Sequence, residues 1–311
     1  MKIYYFCPDL DTPSGGMRRL YRHVEILARN GFPAVILHTA EPFRMSWFAS
    51  DAPVKYLSSG QAPQPDDILV IPEVCHDAIR SSEIQVRHRV AMVLNWAYVY
   101  LGLRPGETYQ SFGIHHVISG CEYIREFLST TMGIASTVVT AGIDTNLFRT
   151  ADVKELAIVA MPRKNQNYLH TIECIFRCRY PAFASIPFIR LHEVEHTAVA
   201  ARLSTAAIFL ATGFPEGIAR PVLEAMSSGC VVVGFAGTGG LEYMRHLENC
   251  YLAGDGDPSR AAQLLGEAVS RWYLGEQGAM QVAARNTALC YSNEVEETAV
   301  LSYWRNFLET M

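Results

Sequence analysis

Apolar and polar positions along this chain alternate between two periods. KIYYFC at residues 2–7 is a short apolar run closed by the turn-forming DTPSGG, which predicts a buried strand. From Met17 the period changes to that of a helix. Leu20, Tyr21, Val24, Leu27 and Ala28 fall on one face, with Arg18, Arg19, Arg22 and Glu25 expected on the other, and Asn30-Gly31 marks the stop. PAVILHTA predicts the second strand, and VKYL, DILVIPE, VAMVLNWAY, HHVISG and STVVTAG predict further ones, with a helix in CEYIREFLSTTM.

After AGIDTNLFR the cycle restarts at LAIVAMPRKN, where a strand again runs through a loop into a helix. Strands are expected at IPFIRLHEV, AAIFLATG, VVVGF and NCYLAG, and helices at TAVAARLST, PVLEAMSS and SRAAQLLGEAVSRW. This repetition predicts an α/β protein of two Rossmann-like, doubly wound domains in series. Residues 1–150 would form the first and 151–293 the second. In the final segment, 294–311, Val300, Leu301, Trp304, Phe307 and Leu308 share a helical face that must dock on something apolar, and the first domain is its expected seat.

A chain of 311 residues is long for one core, which agrees with two domains. The net charge of −5 divides into 13 basic against 14 acidic residues up to position 150 and 13 against 17 beyond it, so neither half is the basic module that nucleic acid requires. Eight cysteines in so long a chain are no disulfide scaffold and suggest a reducing, cytoplasmic setting. Cys174 and Cys178 are expected to be buried thiols. The N-terminus enters a strand directly, without the apolar core of a signal peptide, and no run of 18 apolar residues follows.

The densest chemistry lies in GFPEGIARPVLEAMSSGCVVVGFAGTGG, residues 213–240. Glu216 sits in a glycine-rich loop after a strand. Glu224 follows early in a helix that Pro221 can open and Gly229 can close. A strand end meeting a helix start turns backbone N–H groups and the positive end of a helix dipole toward a ligand crevice, a setting suited to a diphosphate. Two carboxylates beside such an anion make sense where they face hydroxyl groups. Arg163 and Lys164, at another strand end before a helix, supply cations of the kind that hold phosphate. Gly15 and Gly16, between a strand and a helix, would let the backbone approach a phosphate, but the triple-glycine dinucleotide fingerprint is absent.

The Glu216–Glu224 spacing resembles the E-x7-E motif of retaining GT-B glycosyltransferases, and the strand and Gly-Gly turn that follow are similar to those of family 4. SGG at 14–16, GID-x-x-x-F from Gly142 to Phe148, and MPRKN from Met161 extend the resemblance over most of the chain. It implies a GT-B fold whose two domains face each other across a cleft. The first would hold the acceptor, the second a nucleotide-diphosphate sugar, and closure near residue 150 would exclude water.

By the same resemblance, Glu216 contacts the donor sugar with help from the backbone of Gly217, Ile218 and Ala219, Glu224 holds the ribose hydroxyls, and Arg163 and Lys164 clamp the diphosphate. Gly15, Gly16, Gly239 and Gly240 would shape the donor site. Where relatives carry a histidine after a first-domain strand, this chain has Asn95, a candidate sugar or acceptor contact that can donate and accept hydrogen bonds but cannot act as a general base. His115 and His116 are expected to be structural, and His192 to lie in a strand. The Asp9/Asp11 and Asp255/Asp257 pairs match Asp-x-Asp but sit in loop contexts, where capping is expected and a metal is not. The resulting expectation is a metal-independent hexosyl transfer with retention, using no cofactor beyond the nucleotide sugar. A glycan, a lipid-linked molecule or a small molecule would be the acceptor, with a peripheral membrane contact and the oligomeric state left open. The alternatives are a nucleotide-sugar 2-epimerase on the same fold and a non-catalytic sugar-nucleotide-binding partner protein.

Overall fold

The computed structural model describes residues 1–311, which form two compact units: Met1–Ala141 with Glu296–Met311, and Gly142–Val295. The strands are β1 Ile3–Phe6, β2 Ala34–His38, β3 Val54–Tyr56, β4 Ile68–Pro72, β5 His88–Val93, β6 His116–Ser119, β7 Thr137–Val138, β8 Glu155–Ala160, β9 Phe188–Arg190, β10 Ala206–Ala211, β11 Val231–Phe235 and β12 Tyr251–Ala253. The α-helices are α1 Gly15–Arg29, α2 His76–Arg80, α3 Glu122–Met132, α4 Gln166–Arg179, α5 His196–Thr205, α6 Arg220–Ser227, α7 Pro258–Tyr273, α8 Gly278–Leu289 and α9 Asn293–Glu309.

The first unit is a seven-stranded parallel sheet in the order β3-β2-β1-β4-β5-β6-β7. Strand order reverses between β1 and β4, the place where such sheets leave a crevice beyond their carboxyl ends. Alternate strand residues Ile3, Tyr5, Val90, Met92 and Ile118 pack with Leu20, Val24 and Leu27 of α1 and with Val300, Trp304 and Phe307 of α9. The Trp304 indole N–H donates to the Tyr5 hydroxyl at 2.9 Å, so the last helix supplies both area and a buried polar tie.

The second unit is a five-stranded parallel sheet, β12-β11-β10-β8-β9, whose order reverses between β8 and β10. Its strands are apolar on both faces, as helices on both sides require. Val159, Phe209 and Val232 face one core with residues of α5, α6 and α8. Ile158, Ala160, Ile208, Leu210, Val231 and Val233 face the other with α4 and α7. This unit begins at Gly142, before the expected residue 151, because the GID-x-x-x-F segment belongs to it: Ile143 bridges Ser292, and Phe148 is fully buried in its core.

Several expectations need correction. Arg19 is buried rather than on the solvent face; its guanidinium donates to the Val139 carbonyl and lies 3.5 Å from the buried Glu296 carboxylate. Cys174 and Cys178 are exposed, because α4 buries the face of Leu169, Ile172 and Phe176 instead. β5 stops at Val93, so Asn95 and Trp96 leave the sheet, and β9 stops at Arg190, leaving His192 outside any strand. Helices α2 and α8 have no counterpart in the periodicity reading. The sequence of α8, GAMQVAARNTAL, is dominated by small residues that blur a face.

Candidate active site

The loops after β8 and β10 leave neighbouring strands at the reversal point of the second sheet. Lys164, in the first loop, brings its ammonium 2.9 Å from Oε1 of Glu216 in the second and donates to the Pro215 carbonyl at 2.9 Å. Asn165 occupies the left-handed region at φ 57°, which asparagine tolerates, and its side chain donates to the Phe214 carbonyl at 2.7 Å. The two loops are therefore laced together before any ligand arrives. Arg163 is exposed, and its side chain has no hydrogen-bond or ion-pair partner.

Glu216 is held from the other side by residues 237–239. Its N–H donates to the Gly237 carbonyl at 2.8 Å, and its carbonyl accepts from Gly239 at 3.1 Å. Asp255 fixes that turn, accepting from the Gly237 N–H at 2.9 Å and the Thr238 hydroxyl at 3.3 Å. Thr238 is driven to φ 74°, ψ −62°, a strained γ-turn geometry. A Cβ on Gly239 would overlap the Gly217 carbonyl, so glycine is required there, whereas one on Gly240 would meet only ordinary neighbours. The N–H groups of Gly217, Ile218 and Ala219 make no hydrogen bond within the protein and lead directly into α6, giving three consecutive donors at a helix start.

Glu224, in the second turn of α6, is buried at 4% exposure. Its Oε1 lies 3.5 Å from the Arg220 guanidinium and 3.4 Å from Nε2 of His196, the first residue of α5. His196 is not signalled by the sequence motif, since α5 is remote from it in the chain. Only the helical spacing of Arg220 and Glu224 was open to inference.

The remaining expected site residues belong to the first unit. Gly15 and Gly16 open α1 beyond the end of β1; no heavy atom lies within 4 Å of a Cβ built on Gly15, and packing does not demand glycine at either position. Asn95 is buried and caps the short turn Trp96–Tyr98, its side-chain oxygen accepting from the Ala97 N–H at 3.1 Å, while its own N–H donates to Glu73 at 2.9 Å. Glu73 itself, unremarked in the sequence, is a buried carboxyl pushed up to about 7 by burial. All four Asp-x-Asp carboxylates serve loops and caps: Asp9 accepts from Thr39 and Ala40, Asp11 from Ser46, Asp255 from Gly237, and Asp257 from Arg260 at the start of α7.

In overall fold the chain is similar to sucrose-phosphate synthase from Thermosynechococcus elongatus (TM-score 0.76, 10% identity, all of both chains covered). It is also similar to a glycosyltransferase from Rickettsia africae (TM-score 0.71, 14% identity, 100% of this chain and 99% of that one). A third similar structure is HepE from Anabaena in complex with UDP-glucose (TM-score 0.73, 13% identity, 98% and 100%). The fold is GT-B. Within this GT-B chain, residues 184–271 match the family model described as glycosyl transferases group 1, a stretch that contains Glu216 and Glu224. An α-1,6-glucosyltransferase from Actinobacillus pleuropneumoniae is 26% identical over 240 residues, 75% of this chain and 72% of that protein. These two matches support the group 1 glycosyltransferases and a glycosyltransferase function. No helix is long and apolar enough to cross a membrane.

Proposed function

We propose that this GT-B protein transfers a glycosyl group from a nucleotide-diphosphate sugar to an acceptor hydroxyl, with retention at the anomeric carbon and without a catalytic metal. The observation that carries the reading is the Lys164–Glu216 pair at the sheet's reversal point, beside the three unpaired N–H groups of Gly217, Ile218 and Ala219. In this reading the N–H groups, the α6 dipole, Lys164 and the unpaired Arg163 receive the diphosphate and balance the charge that grows on it as the sugar departs. Glu216, tethered through Lys164, faces the sugar hydroxyls. Glu224 takes the ribose.

No carboxylate is assigned as a nucleophile on the opposite face, so the acceptor attacks from the side the phosphate leaves. The acceptor O–H proton passes to the departing phosphate oxygen as the new C–O bond forms and the old one breaks. The names of the curated relative and of the Anabaena complex make UDP-glucose the first donor to try and a glycan hydroxyl the first acceptor class. The test is product formation from UDP-glucose and an oligosaccharide panel in excess EDTA, with the anomeric configuration read by NMR. Transfer with retention in EDTA is expected. Activity that disappears in EDTA and returns with manganese or magnesium overturns the metal-free mechanism, and an inverted product overturns same-face attack.

A further inference from the structure

We infer that His196 is a positioning residue that aims the Glu224 carboxylate at the ribose of the nucleotide; this rests on the reading of Glu224 just given. A glutamate has three side-chain torsions, and holding it to a pair of vicinal hydroxyls costs rotamer entropy unless the protein has already ordered it. Glu224 is also nearly enclosed, where a carboxylate needs donors. Two donors converge on its Oε1, and they differ in kind. Arg220 sits one turn earlier on α6 and moves with it. His196 comes from α5 and refers Glu224 to the rest of the unit.

His196 is itself placed from beneath. The ring of Phe148, fully buried, meets the imidazole edge-on with centroids 5.0 Å apart. The Phe148 carbonyl accepts from Ser227 at the end of α6 at 2.7 Å. Phe148, His196, Glu224 and Ser227 thus close a loop of contacts that ties α5 and the 142–148 segment to α6. With its proton on Nε2, the imidazole donates to the carboxylate and fixes its roll about the last torsion. This also gives the phenylalanine of GID-x-x-x-F a task at the site, although it touches no ligand.

The experiment is calorimetric titration of the full chain with UDP, ADP and GDP and their 2′-deoxy forms. The parent should prefer the ribonucleotide about tenfold or more, as a hydrogen bond to a charged group implies. Glu224→Gln should largely abolish that preference. His196→Ala should shrink it severalfold while leaving affinity for the deoxy form close to that of the parent, and His196→Gln, whose amide N–H can reach the same oxygen, should restore part of it. Phe148→Leu is the second variant, should the alanine protein fold poorly, and should also lower the ratio. A full ribose preference in His196→Ala alongside its loss in Glu224→Gln overturns the positioning role alone. No ribose preference in the parent, or an undiminished one in Glu224→Gln, overturns the Glu224 reading and this inference with it.

Discussion

At the scale of single residues, the two glutamates share a motif but not an environment. Glu216 is half-buried and held by Lys164 and a strained turn, whereas Glu224 is enclosed between Arg220 and His196. Ribose belongs to the free nucleotide and the hexose only to the intact donor. Glu224→Gln should therefore weaken nucleoside diphosphate and nucleotide sugar alike, by roughly 10- to 150-fold. Glu216→Gln should leave nucleoside diphosphate binding nearly unchanged and lower transfer. Titration of both variants decides it, and the opposite pattern would mean the roles are exchanged. Gly239→Ala places a methyl group against the Gly217 carbonyl, where backbone on both sides leaves no flexible escape. Transfer should fall roughly a hundredfold as Glu216 shifts, and retained activity would show that this turn does not set its position. The spacing of Glu216 and Glu224 and the adjacent Arg163 and Lys164 were legible because they are local in sequence. His196 and Asn165 were not singled out, and Asp255 was read only as a loop-capping residue, because the parts they play beside Glu216 and Glu224 exist only once the sheet brings distant loops together.

At the scale of elements, short apolar runs and helical stripes located most strands and helices, because a strand covered by helices on both sides is apolar throughout while a helix buries one face. The misreading of Arg19 has a tertiary cause. Arg19 reads as surface by its type, yet a helix from the far end of the chain brings Glu296 to it, with Arg22 3.7 Å from the same carboxylate. Helix α9 was legible as an apolar face in need of a seat, and Trp304 with its bond to Tyr5 is the centre of that seat. Trp304→Ala should cost about 3–5 kcal/mol, or roughly 10 °C in unfolding midpoint for a unit of this size, measurable by thermal denaturation. Deleting residues 295–311 should go further and yield insoluble or strongly destabilised protein, because it uncovers Tyr5, Val90 and Met92. A truncated chain as stable as the parent would mean that the first unit's sheet does not depend on α9.

At the scale of the whole molecule, the two units should answer pH differently. His23 is held neutral, well below the ordinary imidazole range, first by burial and then by the Arg19 and Arg22 charges; His38 is lowered by burial against the opposing pull of Asp9, and His116 by burial and its neighbours His88 and His115. All three lie in the first unit. Each has a folded value below the unfolded 6.5, so its contribution is complete above pH 6.5 and is lost as pH falls into the window beneath it. Glu73, also in the first unit, acts in the opposite sense: raised from 4.5 to about 7, it contributes fully below pH 4.5 and less as pH rises through 7. The shifted carboxyls of the second unit, Glu173 and Glu248, are lowered instead, and their contribution is lost only as pH falls below 4.5. Between pH 7 and 5 the first unit alone should lose several degrees of thermal midpoint, with Glu73 blunting the fall. Three of the four tryptophans, Trp47, Trp96 and Trp304, belong to that unit, so a Trp272→Phe background confines fluorescence to it. In that background Glu73→Gln should steepen the acid loss. At pH 8 it should raise stability by up to about 3 kcal/mol, less whatever the buried amide N–H2 costs, because an ionised carboxyl no longer has to be enclosed. A Glu73→Gln protein with the parent's pH profile would show that this carboxyl is not the opposing group, and a first-unit midpoint that does not move between pH 7 and 5 would show that His23, His38 and His116 do not carry the acid response.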